Sequence, residues 1–252
     1  MLELTESEIA AFLDPALKSI PPPIKILQES IDSLPFKKLE PEYVKNHFSE
    51  VMELVTDNAF AKFKVYQRMA SRPVIQKFME KYGPEIEANT KNQKEFVSEL
   101  LDIFMPVAVS FEFRTSQMRK SRAGTTFEHI TVFLLQKCGI KCERTAKSVR
   151  KKMNRMDIVI PNQEVALKKP DQAKFLSCKH TLRERWKQAL PEKNRNWVMY
   201  LITMDDDIPD QKAKEINDHN LIVYVKDQVK AKSYLAKKDW IRKLSDLPKD
   251  LR

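Results

Sequence analysis

Residues 174–186 read KFLSCKHTLRERW. An apolar run, KFLSC, closes on Lys179, and Arg183, Glu184 and Arg185 follow a few residues later. A charge cluster alone usually marks a solvated helix face. A lysine at the end of an apolar strand is harder to dismiss, because the strand fixes where its ammonium is held. Upstream, MDIVIP (156–161) has the pattern of a short strand ending at proline, with Asp157 as its acidic member. Downstream, TLRERWKQALPE reads as helical up to Pro191, and WVMYLITM (197–204) as a fully buried strand. The acidic turn DDDIPD, a helix at 209–219 and the strand LIVYVK (221–226) complete a βαβ-like pattern. The second half of the chain is therefore expected to be α/β.

The first half has a different period. Thr5, Glu6, Ser7 and Glu8 fit a capping box that opens a helix, and the PPP at 21–23 ends it. From Glu42 to Met79, Val44, Phe48, Val51, Met52, Val55, Phe60 and Phe63 recur at helical spacing, with a break expected near Asp57 and Asn58. Gly83-Pro84 predicts a stop, and a further helix is expected over about 85–104. FEHITVFLLQKCG (127–139) predicts a buried helix closed by Gly139. The reading divides the chain into a helical N-terminal region, 1–105, and an α/β domain, 106–252.

Composition narrows the chemistry. Three scattered glycines exclude both a P-loop and a dinucleotide-binding turn. A net charge of +10 favours a polyanionic partner, because Lys and Arg displace counterions from phosphates. Cys138, Cys142 and Cys178 form no CxxC pair, so buried thiols in a reducing compartment are expected rather than a metal site. The acidic residues near the N-terminus do not suit a signal peptide, and no apolar run reaches the ~18 residues of a membrane span. A cytoplasmic protein is expected.

Asp157 and Lys179 stand on neighbouring predicted strands with 21 residues between them. Two such strands bring both side chains to one end of a sheet. A carboxylate that holds Mg²⁺ beside a lysine that orients water and offsets phosphate charge is the skeleton of a phosphodiesterase. Asp-x(21)-Lys alone is a weak signal. The block SCK-x(3)-RERW, with Glu192 thirteen residues after Lys179, is more specific. It resembles the type II restriction endonucleases of the EcoRII, SsoII and PspGI group, which cut targets containing CC and GG half-sites. A second block, SQMRKSRAGTTFEHI (116–130), resembles that group's segment opening the first core helix, with Gln117 eleven residues ahead of Glu128.

The resemblance covers about 113–204. It implies the PD-(D/E)xK core, a mixed central sheet flanked by helices, preceded here by the helical region. In this group the second carboxylate has migrated to the following helix. The usual position here holds Ser177, and Glu192 is available downstream. The implied catalytic set is Asp157, Lys179, Glu192 and Glu128, with Asp157 and Glu192 as Mg²⁺ ligands. Arg183 and Arg185 would take guanines and Glu184 the adjacent cytosines, since a guanidinium fork matches guanine O6 and N7 while a carboxylate accepts from cytosine N4. Gln117 would reach the minor-groove edge of C·G pairs, and Lys120 and Arg122 would contact phosphates. His129 and His180 flank the site without metal-pair spacing. The implied partner is a palindromic duplex bound by a homodimer or a tetramer, with no membrane. Two other readings are a repair or junction-cleaving nuclease on the same core and a non-catalytic DNA-binding protein.

Overall fold

In the computed structural model, residues 3–146, 148–149, 156–182, 199–219 and 221–252 are described. Helix α1 (Glu6–Ser19) opens with the expected box: Thr5 Oγ1 accepts from the Glu8 amide, and the Glu8 carboxylate accepts from the Thr5 amide at 3.0 Å. Two shorter helices, α2 (Pro23–Asp32) and α3 (Pro41–Asn46), lead into α4 (Phe48–Asn89) and α5 (Gln93–Lys137).

The long helices differ from the sequence reading. No break falls at Asp57-Asn58, and α4 runs through Pro73, Gly83 and Pro84. Residues 85–104 and 127–139 are not separate helices, because α5 continues through Pro106 and the basic stretch 114–122. An internal proline costs a helix ~3 kcal/mol or more. Burial on both sides of each one opposes that cost: Val74, Phe78, Tyr82 and Ile86 along α4, and Ile103, Val107 and Phe111 along α5. Gly139 closes α5 with φ +80°, as its lack of a side chain permits, and the Ile140 amide donates back to the Leu135 carbonyl at 3.0 Å.

A six-stranded sheet follows, with strands in sequence order. These are β1 (Glu143–Arg144), β2 (Ile158–Ile160), β3 (Lys174–Lys179), β4 (Met199–Thr203), β5 (Ile222–Val225) and β6 (Ile241–Lys243). β1, β2 and β3 pair antiparallel, and β3 to β6 pair parallel. Helix α6 (Gln163–Lys168) joins β2 to β3, and α7 (Asp210–Asp218) joins β4 to β5. The sheet is thus mixed, with helices on its flanks.

Both faces of the sheet are covered. Ile158, Leu176, Cys178, Ile202 and Tyr224 pack with Phe127, Ile130 and Leu134 of α5 and Val51 and Val55 of α4. Their strand neighbours Val159, Phe175, Leu201 and Val223 alternate to the other face, against Ala213 and Ile216 of α7. Strands buried on both faces must be apolar throughout, which is why MYLIT of β4 reads as one unbroken run.

Packing divides the chain into Met1–Ile26 with Ala59–Arg122, and Leu27–Asn58 with Ala123–Arg252. The sequence boundary at 105/106 falls inside α5. The first unit has its own core, in which Phe12, Leu13 and Leu17 of α1 meet Phe63, Phe78 and Phe111. Among the described residues, no helix is long and apolar enough to cross a membrane.

Candidate active site

Asp157 lies one residue before β2, in register opposite Ser177. Its amide donates to the Leu176 carbonyl at 3.1 Å, so the antiparallel ladder fixes the backbone. The side chain is 3% exposed. Its Oδ2 accepts from the Cys178 amide at 2.8 Å and from Ser177 Oγ at 3.4 Å, and Lys179 Nζ stands 3.5 Å away. A buried carboxylate is costly unless hydrogen-bonded and paired, and the tip of β3 supplies both kinds of partner. Ser177, in the place of a second carboxylate, is fully buried and gives a neutral hydroxyl.

Glu128, on α5, is 8% exposed and pairs with Arg144 of β1, whose Nε lies 2.7 Å from Oε2. Arg144 Nη1 also meets His129 Nε2 at 2.8 Å. Burial first, and then the Arg144 charge, lowers the His129 pKa, which favours a neutral ring. One turn beyond Glu128, Thr131 Oγ1 lies 3.9 Å from Cys178 Sγ, so α5 packs on the strand between Asp157 and Lys179. Burial pushes the Cys178 pKa up, and the charges of Asp157 and Glu128 add to the rise. The structure thus gathers Asp157, Lys179 and Glu128 around Cys178. Glu192, Arg183, Glu184 and Arg185 lie outside the described residues. Among the described residues, no three His, Cys, Asp or Glu side chains converge to hold a metal. Asp157 and Glu128 are hard oxygen donors of the kind Mg²⁺ prefers, so the donor chemistry fits that ion.

Gln117, Lys120 and Arg122 stand on α5 in the first unit. Gln117 and Lys120 are exposed. Arg122 is half-buried: Nη1 donates to the Pro21 carbonyl at 2.5 Å, Nη2 to that of Ile20 at 3.4 Å, and the guanidinium lies over Phe63. This burial lowers the Arg122 pKa from its ordinary value.

Sequence reading missed Asp205. Its carboxylate accepts from the Leu182 amide at 2.5 Å, directly before Arg183. The Met204 amide donates to the His180 carbonyl at 3.2 Å, so the end of β4 holds residues 180–182 at two points. Burial lowers the His180 pKa, opposed by Asp205. The signal was the acidic turn DDDIPD, which reads as an ordinary loop until β4 is known to lie beside β3.

The chain is 23% identical over 209 residues to the type II restriction enzyme SsoII of Shigella sonnei, covering 80% of this chain and 67% of that protein. Its fold is similar to that of metal-depleted Ecl18kI in complex with uncleaved, modified DNA: TM-score 0.84, 20% identity, 99% of this chain and 84% of that one. It is also similar to a complex of the restriction endonuclease PspGI with substrate DNA: TM-score 0.62, 20% identity, 94% of this chain and 93% of that one. The EcoRII C-terminal family model matches residues 84–247, a stretch that holds Glu128, Asp157, Lys179 and the whole sheet. By that match the chain belongs to the EcoRII C-terminal family, and it is a type II restriction endonuclease, a site-specific deoxyribonuclease.

Proposed function

We propose that this endonuclease cuts double-stranded DNA, with Mg²⁺, at a palindromic target containing CC and GG half-sites. The half-sites are contiguous, as CCGG, or split by a central pair, as CCNGG or CCWGG. The observation that carries the reading is the buried Asp157 carboxylate held 3.5 Å from Lys179, which Arg183, Glu184 and Arg185 follow within six residues in sequence. Asp157 and Glu192 hold Mg²⁺, which supplies positive charge at the phosphate and lowers the pKa of water. Lys179 orients the attacking water and offsets phosphate charge. Glu128, fixed by Arg144, supports the site or its waters. Arg183 and Arg185 read guanines, Glu184 the adjacent cytosines, and Gln117 the guanine amine in the minor groove. Lys120 and Arg122 contact phosphates, Arg122 through N–H groups not given to Ile20 and Pro21. The enzyme works in the cytoplasm as a homodimer or a pair of dimers, one active site per strand.

Plasmid digestion with Mg²⁺, followed by sequencing of the ends, tests this. Double-strand breaks confined to CC and GG sites are expected. Cuts without base preference, or confined to branched DNA, point to a repair or junction nuclease, and no cleavage at all points to a DNA-binding protein.

Asp205 extends the reading of the target. Removing its carboxylate frees the Leu182 amide at the start of the recognition segment. Asp205→Ala is expected to weaken specific binding roughly 10- to 150-fold, the range for a hydrogen bond to a charged group, about 1.5–3 kcal/mol. Asp205→Asn keeps an acceptor and should restore most of it. Equal loss on specific and random duplexes in a competition assay would remove Asp205 from the recognition apparatus.

Residues 1–105 form, in this proposal, a helical region that grips DNA and helps the protein dimerise, while 106–252 carry the catalysis. On α4, Lys62, Lys64 and Arg68 lie within two turns, and Lys64 rests over the Phe60 ring at 4.7 Å. Replacing all three with alanine is expected to weaken binding and flatten log K against log salt by up to roughly 5.4 in a homodimer, about 0.9 per phosphate contact with three contacts per copy. An unchanged affinity and slope would leave these side chains with a structural part only.

A further inference from the structure

Three aspartates follow β4, and their surroundings differ. Asp205 holds the Leu182 amide. Asp207 pairs with Lys232, and both side chains are partly exposed. Asp206 pairs with Lys226, and here the partners are unequal: the Lys226 side chain is 10% exposed and that of Asp206 91%. A buried ammonium has its carboxylate partner on the outside of the protein.

Lys226 directly follows β5. Lys179 pairs with Thr203 across β3 and β4, and Ile202 with Tyr224 across β4 and β5. These strands are parallel, so Lys179 and Lys226 end the same edge of the sheet, two strand spacings or roughly 10 Å apart. In open α/β sheets ligands dock outside the carboxyl ends of the strands. Lys226 and Asp206 also act on His180, the residue after Lys179. Burial is the first cause that lowers the His180 pKa, and the charges of Asp205, Lys226, Asp57 and Asp206 follow. The backbone beside Lys226 is fixed: the Asp227 amide donates to Ser49 Oγ at 3.3 Å, and the Asp227 carboxylate accepts from Ser245 Oγ at 2.6 Å.

We propose that Lys226 takes a phosphodiester oxygen of bound DNA, and that Asp206 holds this place in the free protein. The proposal rests on Asp157 and Lys179 marking where the DNA backbone passes. Asp206 reaches the ammonium from solvent, so an oxyanion on a duplex has the same way in. An ammonium removed from water must keep a partner, and the phosphate replaces the carboxylate. The released carboxylate is already almost wholly in water, where an ion pair contributes little. Left in place, it would face the phosphates with like charge.

The test is equilibrium binding of the full chain to a random-sequence duplex, without metal and over a range of salt. Asp206→Asn removes the competing charge and keeps an oxygen for Lys226, so it should melt near wild type. Its affinity should rise roughly 2- to 30-fold, since the pair is broken once in each of two copies. Lys226→Met keeps the length of the stem and loses the charge. Binding should weaken, and log K against log salt should flatten by up to roughly 1.8, about 0.9 per contact with one contact per copy. In the Lys226→Met background, Asp206→Asn should change affinity by less than about twofold, because the two residues act as one pair.

An Asp206→Asn protein that binds no tighter than wild type overturns the proposal, whether or not Lys226→Met folds. So does an equal gain from Asp206→Asn with and without Lys226, which makes Asp206 one more negative charge on a cationic protein. The active-site reading is decided separately, by plasmid cleavage with Asp157→Ala.

Discussion

Asp157→Ala is expected to lower DNA cleavage roughly a thousandfold or more, about 4 kcal/mol of transition-state stabilisation, while leaving metal-free specific binding in place. The carboxylate is 3% exposed and held by the Cys178 amide at 2.8 Å, so its position is set before substrate arrives. Its assigned work is to hold a cation against the phosphate, and no base is read by it. Without metal, its negative charge repels the DNA backbone, so the alanine variant should bind the cognate duplex as well as wild type or better. Alanine also leaves the Cys178 amide without this acceptor, at a cost of about 1–3 kcal/mol in stability. Asp157→Asn separates the two effects. It keeps an oxygen for the Cys178 amide and removes the charge, so folding should recover and cleavage should not. Glu192→Ala should match Asp157→Ala in both assays. Near-normal cleavage by a folded Asp157→Ala protein would sink the assignment.

Local chemistry made parts of this fold legible. The Thr5–Glu8 box needs only four consecutive residues, and it forms as read. The strand KFLSCK shows itself through composition. Asp157 and Lys179 stood out because charge on an apolar strand demands a partner, and each lies close to the other. Continuity of α4 and α5 was not legible. Pro73, Pro84 and Pro106 carry a local penalty, whereas the burial that offsets it comes from residues distant in sequence. β1 and β6 were missed because ER and IRK are short, and each contains charged residues that give no apolar run. The pair Glu128–Arg144 and the clamp at Asp205 both join elements separated in sequence, so neither leaves a spacing to find.

Arg185→Ala and Glu184→Ala are expected to reduce binding to the cognate duplex far more than binding to random DNA. One lost bidentate base contact costs about 1–3 kcal/mol. A homodimer on a palindrome makes each contact twice, so a single substitution removes about 2–6 kcal/mol, a factor of roughly 30 to more than 10⁴. Non-specific binding rests on phosphate contacts elsewhere and should persist. Arg185→Lys is the sharper variant. Lysine keeps the charge but lacks the planar fork that fits guanine O6 and N7 together. If Arg185 reads a base, the lysine variant should lose most of the specific affinity while its affinity for random duplex and its salt dependence stay at wild-type values. If Arg185 neutralises a phosphate, lysine should substitute for it on both duplexes. Competition binding with cognate and scrambled duplexes over a range of salt separates the two. Parallel losses on both DNAs for the alanine variants, with rescue by lysine, would place Arg185 on the backbone and leave the choice of CC and GG without its reader.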